Sequence, residues 1–288
     1  MHGSRDQRLS MATDANAEAR SHDRASATPN TRAEGATPLL RLSKVGKNFG
    51  PVQALVDIDL EIYPGEVLAL VGDNGAGKST MIKTISGIWS PDSGQMFWEG
   101  HEVHVRSPRD ASALGIATMY QDLALADNLD IVQNMFLGRE TLHLGILDET
   151  SMELSAKRTL TDLSVTTVRS IRQPVGSLSG GQRQAVAVAR AVLQDAKLVI
   201  MDEPTAALGV SQTAMVLNLV RSLSQRGVAV LLISHNLVDV FEVADHLAAL
   251  YLGRVAGVTR VADIDTQRAV ELITTGRLAT TASAAGKD

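Results

Sequence analysis

The residues from Gly72 to Thr80, GDNGAGKST, bring three glycines together with a lysine and two hydroxyls, and they satisfy G-x-x-x-x-G-K-[ST]. Such a set is suited to holding a polyphosphate. Glycine tolerates positive φ and has no Cβ, so Gly72, Gly75 and Gly77 let the backbone curl tightly and approach an anion. The N–H groups of this loop, those of Asp73, Asn74 and Ala76 included, and the helix N-terminus beyond it then face phosphate oxygens. Lys78 can reach the β and γ phosphates as a compact cation. The Ser79 hydroxyl can hold a Mg2+ that bridges the same phosphates, and Thr80 adds a donor. A glycine-rich turn can also precede a helix for purely structural reasons. The Gly-Lys-Ser ending in this setting makes nucleotide binding the stronger reading.

A second chemical group follows later, where the apolar run Leu198 to Met201 ends in Asp202-Glu203-Pro204-Thr205. An apolar strand capped by a carboxylate is the other half of a P-loop ATPase, with the aspartate supporting Mg2+. Two carboxylates can equally begin an ordinary loop, but the phosphate loop upstream weakens that alternative.

The elements that must position these groups are legible around them. Val67 to Val71 is a short aliphatic strand running straight into the loop, and Met81-Ile82-Lys83 opens a helix after it. Before the loop, Leu40, Leu42 and Val45, and then Val56, Ile58, Leu60 and Ile62, alternate with polar residues, predicting antiparallel strands. Gln95 to Glu99, closed by Gly100, is a further short strand, expected at the edge of a small β subdomain. Ser107-Pro108 starts a helix that Gly115 stops near Leu114, and Ile116 to Tyr120 is a strand. From there to about Val175 the chain is expected to be largely helical, with Leu129, Val132, Met135 and Phe136 at helical spacing. This stretch is either a second subdomain or a lid on the same core. Leu178-Ser179-Gly180-Gly181-Gln182 leads into another helix. A helix from Gln212 to Gln225, the strand Val228 to Ile233, Ser234-His235, one more helix, and strands at Leu247 to Leu252 and Arg254 to Val258 complete an alternating α/β pattern.

Composition narrows the function classes. At 288 residues with 44% hydrophobic content, the chain can bury a sizeable core as one large domain or two small ones. A net charge of -5 gives no general basic footprint for nucleic acid. With no cysteine, disulfides and thiolate metal sites are excluded, which suits a reducing compartment. No apolar run approaches the roughly 18 residues of a membrane-spanning helix. Residues 1–36 are rich in Ala, Ser, Thr, Asp and Arg, lack the apolar core of a signal peptide, and are expected to form a disordered leader; Met11 is an alternative start. Residues 277–288 are expected to form a flexible tail. Deletion of residues 1–36 should leave ATP hydrolysis intact in a phosphate-release assay; a truncated chain that does not fold would show that the leader is structural.

LSGGQ at 178–182, set between GDNGAGKST and LVIMDEPTAAL, resembles the ATP-binding subunit of ABC transporters over about Leu39 to Gly276. The resemblance implies an α/β fold, a P-loop NTPase (RecA-like) core within residues 37–276, with an antiparallel β subdomain and an inserted helical subdomain at about 122–178. It places the adenine-stacking aromatic on Phe49, the γ-phosphate-sensing glutamine on Gln121, which also joins Ser79 and Asp202 at the metal, the catalytic carboxylate on Glu203 and the switch histidine on His235. It further implies a head-to-tail homodimer in which Ser179, Gly180, Gly181 and Gln182 complete the ATP site of the opposite subunit. Many relatives carry an aspartate in the loop after the second carboxylate motif, whereas this chain has Ala206-Ala207-Leu208-Gly209.

The finer resemblance is to ribose-, xylose- and fructose-type importers. It is carried by SPRDASALGI at 107–116, YQDLALADNLDIVQNMFLGRE at 120–140, DEPTAALGV at 202–210 and ISHNLVDVFEVAD at 233–245, and is nearest the single-cassette, fructose-type subunits. It implies ATP and Mg2+ as cofactors, membrane permease subunits, a sugar-binding protein outside, and a peripheral place on the cytoplasmic face of the membrane. A permease helix is expected near Leu123, Leu125 and Leu129. The length leaves no room for an added C-terminal regulatory domain. Two other functions compete. A soluble ABC ATPase of DNA repair or translation predicts a long coiled coil, paired cassettes or basic surfaces; a P-loop GTPase predicts Asn-Lys-x-Asp. None of these features is present in the sequence.

Overall fold

The computed structural model describes residue 32 and residues 35–120, 122–163, 165, 167–206 and 208–277. The chain divides into two units, Met1–Ala36 and Thr37–Asp288, and the fold described here is that of the second.

Three strands precede the phosphate loop: β1 (Leu40–Phe49), β2 (Val52–Ile62) and β3 (Val67–Val71). Helix α1 (Lys78–Ile85) follows the loop, and β4 (Ser93–Trp98) and β5 (His101–Val103) come next. Strands β2, β1, β4 and β5 form, in that order, an antiparallel four-stranded sheet. The strand expected at its edge, β4, is therefore interior and β5 is the edge. Glu99 and Gly100 lie at φ 50° and 83°, the two left-handed residues of a tight hairpin, so Gly100 reverses the chain where the sequence suggested an end.

Helix α2 (Pro108–Leu114) begins and ends as its sequence predicts. Ser107 Oγ accepts from the Asp110 N–H and Gly115 caps the far end at φ 88°. Strand β6 (Ile116–Met119) follows. The next stretch is less helical than expected: α3 (Ile131–Phe136), a small hairpin of β7 (Leu142–His143) and β8 (Ile146–Leu147), and α4 (Glu149–Asp162). Arg172 ties α3 to α4, donating to Asp130 at the α3 N-cap at 3.1 Å and, on α4, to Glu149 at 2.8 Å and to Glu153 at 2.7 Å. The carboxylates around it hold the guanidinium above its ordinary pKa.

The remaining elements alternate: α5 (Gly180–Leu193), β9 (Leu198–Asp202), α6 (Val210–Gln225), β10 (Ala229–Ile233), α7 (Leu237–Val243), β11 (His246–Tyr251), β12 (Arg254–Arg260) and α8 (Thr266–Thr275). Helix α8 was not foreseen. The six-stranded sheet runs β12-β11-β3-β10-β9-β6, parallel except for β12 at its edge. Its central strands are buried on both faces, as parallel strands require. Val67, Ala69 and Val71 of β3 join the core beneath α5, α6 and α8. The intervening Leu68 and Leu70 join a second core with Met81, Ile82 and Ile85 of α1 and the inner face of the four-stranded sheet. Ile131, Met135, Ala156 and Leu160 of the inserted stretch are continuous with the first of these cores. Among the described residues no helix is long and apolar enough to cross a membrane.

Candidate functional site

In an open parallel sheet the groups best placed for ligands stand at the carboxyl ends of the strands. The phosphate loop leaves β3 there, Tyr120 follows β6, Asp202 ends β9 and Ser234-His235 follow β10. Register keeps these ends level: Ile233 pairs with Asp202 on one side and with Leu70 on the other, and Met119 pairs with Met201. Residues remote in sequence thus share one rim.

Within the loop, the glycines are needed for two different reasons. A Cβ on Gly72 would come within 2.4 Å of the Leu250 carbonyl, and one on Gly77, at φ 108°, within 2.7 Å of the Ala54 carbonyl. These two glycines let the loop lie against its own scaffold. Gly75, at φ 82°, meets nothing within 4 Å and lies with exposed Asp73 and Asn74 on the open side. Ala76 is buried, and its carbonyl accepts from the Gly253 N–H at 3.0 Å, which anchors the loop to the β11–β12 turn. Lys78 Nζ donates to the Gly72 and Asp73 carbonyls at 2.6 and 3.0 Å. Ser79 is exposed and Thr80 half-buried at the first turn of α1.

Across the rim, burial and then the neighbouring Glu203 carboxylate push the Asp202 carboxyl up, against the downward pull of Lys78 and Lys83. A half-desolvated carboxylate beside a second one is suited to a divalent cation, and Mg2+ asks for one or two protein oxygens plus phosphates and water. The donor set fits that ion; among the described residues no cluster of three or more His, Asp or Glu offers an all-protein cage instead. Because the folded-state pKa is raised, ionised Asp202 opposes folding, and the cost grows as pH rises from the unfolded value through the raised one. Asp202→Asn should therefore raise the melting temperature of the nucleotide-free protein at neutral pH by a few °C while magnesium-dependent hydrolysis is lost. A lower melting temperature in differential scanning calorimetry would contradict this.

Glu203 stands at φ 51°, in the left-handed region that a glutamate rarely adopts, with its N–H on the Ile233 carbonyl at 3.0 Å. Its Oε2 lies 2.7 Å from His235 Nδ1. The histidine side chain is 73% exposed and the glutamate 21%, so the pair sits at the mouth of the rim. This pairing was not visible in the sequence, where 32 residues separate the two. Gln121 lies outside the described residues, as does Ala207 of the loop that departs from the family pattern.

Phe49, at the end of β1, is 40% exposed, and its ring meets Trp89 edge-on with centroids 4.7 Å apart. Lys47 Nζ lies 5.7 Å from the Phe49 ring and Lys83 Nζ 4.7 Å from that of Trp89. Sequence reasoning missed Trp89, which only the fold brings to Phe49.

The LSGGQ segment caps and packs the start of α5. Ser179 caps the helix, accepting from the Gln182 N–H, while Gln182 Oε1 accepts from the Ser179 N–H at 2.9 Å, a reciprocal capping box. Gly180 and Gly181 admit close packing: a Cβ would lie 2.7 Å from Leu208 Cδ2 and 3.2 Å from Gln212 Cβ. The two glycines thus bring the N-terminus of α5 against the loop after Glu203 and the start of α6.

Leu123, Leu125 and Leu129, expected near a docking groove, are all half-buried, the first two packed against the core. A concave surface lies beside them, a cavity of about 250 Å³ lined by residues that include Ser86, Ile88, Ser112, Tyr120 and Arg190. Arg190 closes one side by donating to the Leu123 and Ala124 carbonyls, and burial lowers its pKa.

Residues 55–206 match the family model described as ABC transporter. The chain is 48% identical over 244 residues to the fructose import ATP-binding protein FrcA of Rhizobium meliloti, an alignment covering 82% of this chain and 94% of that one. It is 46% identical over 236 residues to the xylose/arabinose import ATP-binding protein XylG of Sulfolobus acidocaldarius, with the same two coverages. Against ribose import ATP-binding protein RbsA 2 of Escherichia coli O157:H7 the identity is 37%, over 77% of this chain and 44% of that longer one. Among solved structures, the ADP conformation of MJ1267, an ATP-binding cassette of an ABC transporter, is similar with a TM-score of 0.71 and 25% identity, covering 83% of this chain and 99% of that one.

Proposed function

This chain belongs to the ATP-binding subunits of ABC transporters, which hydrolyse ATP, and from that premise we propose that it powers import of a monosaccharide through a separate membrane permease. It works as a homodimer with two ATP molecules held between the subunits, peripherally on the cytoplasmic face of the membrane. A sugar-binding protein delivers the sugar to the permease from outside. The observation that carries the hydrolytic part is the contact of Glu203 with His235 on the same rim as the phosphate loop and Asp202.

The chemistry follows from the groups present. Loop N–H groups and Lys78 receive the phosphates, the lysine exchanging its present carbonyl partners for phosphate oxygens. Ser79, Asp202 and Gln121 would hold Mg2+, which when bound would supply charge neutralisation of the phosphates. Phe49 stacks on the adenine. Glu203 accepts a hydrogen bond from the attacking water and draws off its proton as the water oxygen bonds to the γ-phosphorus and the bond to the β-phosphate oxygen breaks. His235 steadies the γ-phosphate, and Ser179, Gly180, Gly181 and Gln182 of one subunit close the site of the other.

The cavity beside Tyr120 and Arg190 receives a short cytoplasmic segment of the permease. It lies next to β6, whose carboxyl end reaches the catalytic rim, so a segment seated there is placed to sense nucleotide. Ile88, 44% exposed on its wall, offers apolar contact. Ile88→Glu should reduce recovery of permease with the tagged chain by about tenfold, since a buried unpaired charge opposes docking; unchanged recovery would remove this surface from the interface. The function as a whole is tested by purifying the tagged full chain from native membranes and identifying what accompanies it. A sugar permease is the expected companion, whereas ribosomes or DNA would overturn the reading.

A further inference from the structure

Asp239 is a buried carboxylate with no place in the hydrolytic set. It lies in the first turn of α7, is 4% exposed, and its Oδ2 accepts from the Thr205 hydroxyl at 2.6 Å. A carboxylate withdrawn from water is unfavourable unless its oxygens are hydrogen-bonded, and an apolar side chain of similar volume often serves packing as well or better. Val240 and Val243 of the same short helix do that packing. What distinguishes Asp239 is the residue it holds, which stands two positions beyond Glu203.

The two segments also meet at their other ends. The Glu203 N–H donates to Ile233, and Glu203 Oε2 lies against His235 Nδ1. The stretch from Glu203 to Thr205 is thus fixed to the stretch from Ile233 to Asp239 on both sides of Pro204. Glu203 is in a left-handed conformation that persists only where the surroundings over-determine it. Pro204, with its locked φ, transmits the placement of Thr205 to Glu203 through one stiff residue. If Thr205 were released, the strain at Glu203 could relax and carry its carboxylate away from His235. The same loop touches α5, where Leu208 packs on Gly180.

We infer that the Thr205–Asp239 hydrogen bond is a positioning device for ATP hydrolysis, holding Glu203 in its left-handed backbone conformation against His235. The inference rests on the hydrolytic reading of the Glu203–His235 pair. Thr205 and Asp239 act through Glu203 and touch no reacting atom.

The test is steady-state phosphate release by the full chain with Mg-ATP, beside nucleotide binding and thermal melting. Thr205→Val keeps the shape and removes the hydroxyl; it should lower kcat about tenfold or more, the scale of a small misplacement of a catalytic group, with the ATP Kd within about twofold of wild type. Thr205→Ser returns the hydroxyl and should restore kcat. Asp239→Leu should lower kcat similarly while its melting temperature stays level or rises, an outcome that a merely structural role does not produce. A Thr205→Val protein with wild-type kcat would overturn the inference, as would a loss that tracks only the folded fraction and that serine does not restore. If the wild-type chain itself released no phosphate, the hydrolytic reading beneath would fall; if it did and Thr205→Val matched it, only the positioning role would.

Discussion

Glu203→Gln is expected to bind ATP and to hydrolyse it more slowly by on the order of 10²-fold or more, the scale of a lost general base. Glutamine keeps the shape of the side chain and can still accept a hydrogen bond, but it has neither the charge nor the basicity to draw a proton from water. At φ 51° the backbone strain is about the same for either residue, so the comparison isolates the carboxylate. Since ATP is proposed to join Lys78 of one subunit to Ser179 of the other, stopping hydrolysis should leave the closed dimer to accumulate. Gel filtration of the variant with ATP should show a dimer that the nucleotide-free protein lacks; a single monomer peak under both conditions would count against the sandwiched arrangement.

Lys78→Ala should have the opposite signature, because it acts on binding before hydrolysis. The ammonium group now donates to the Gly72 and Asp73 carbonyls, both neutral acceptors. Replacing them with phosphate oxygens converts neutral acceptors into anionic ones, and charge-assisted bonds of this kind contribute about twice as much as neutral ones. Their removal should weaken ATP binding by about tenfold to a hundredfold, from roughly 1.5–3 kcal/mol for hydrogen bonds to charged groups. Hydrolysis and dimer formation should both fail at ordinary ATP concentrations. Titration calorimetry checks this directly, and an unchanged Kd would detach Lys78 from the phosphates.

These two variants divide the site as the sequence did. GDNGAGKST was legible because its chemistry is local: strand, loop and helix are contiguous, and each residue type has its own reason for being there. Asp202-Glu203 was legible for the same reason, at the end of the apolar run that becomes β9. Strand order was not, since placing β3 between β10 and β11 depends on crossovers that no local pattern encodes. The small hairpins were missed because their turns use Glu99-Gly100 and Leu144-Gly145, whose first residue is an unusual occupant of positive φ. Helix α8 has one short apolar face and offered too few repeats to read. The partners that Glu203 and Thr205 meet, His235 and Asp239, lie 32 and 34 positions further along the chain and become neighbours only when β9 and β10 pair. Leu123 and Leu125 show the converse: the sequence shows apolar residues after a strand end, but not that part of that surface packs against the core.

The most direct test of the central claim, that ATP is hydrolysed on this rim with Glu203 as the acting carboxylate, is continuous phosphate release from Mg-ATP by the purified full chain and its Glu203→Gln variant side by side. The account predicts steady release by the wild type and, at saturating ATP, release by the variant at about one hundredth of that rate or less. Equal rates from the two proteins would contradict it.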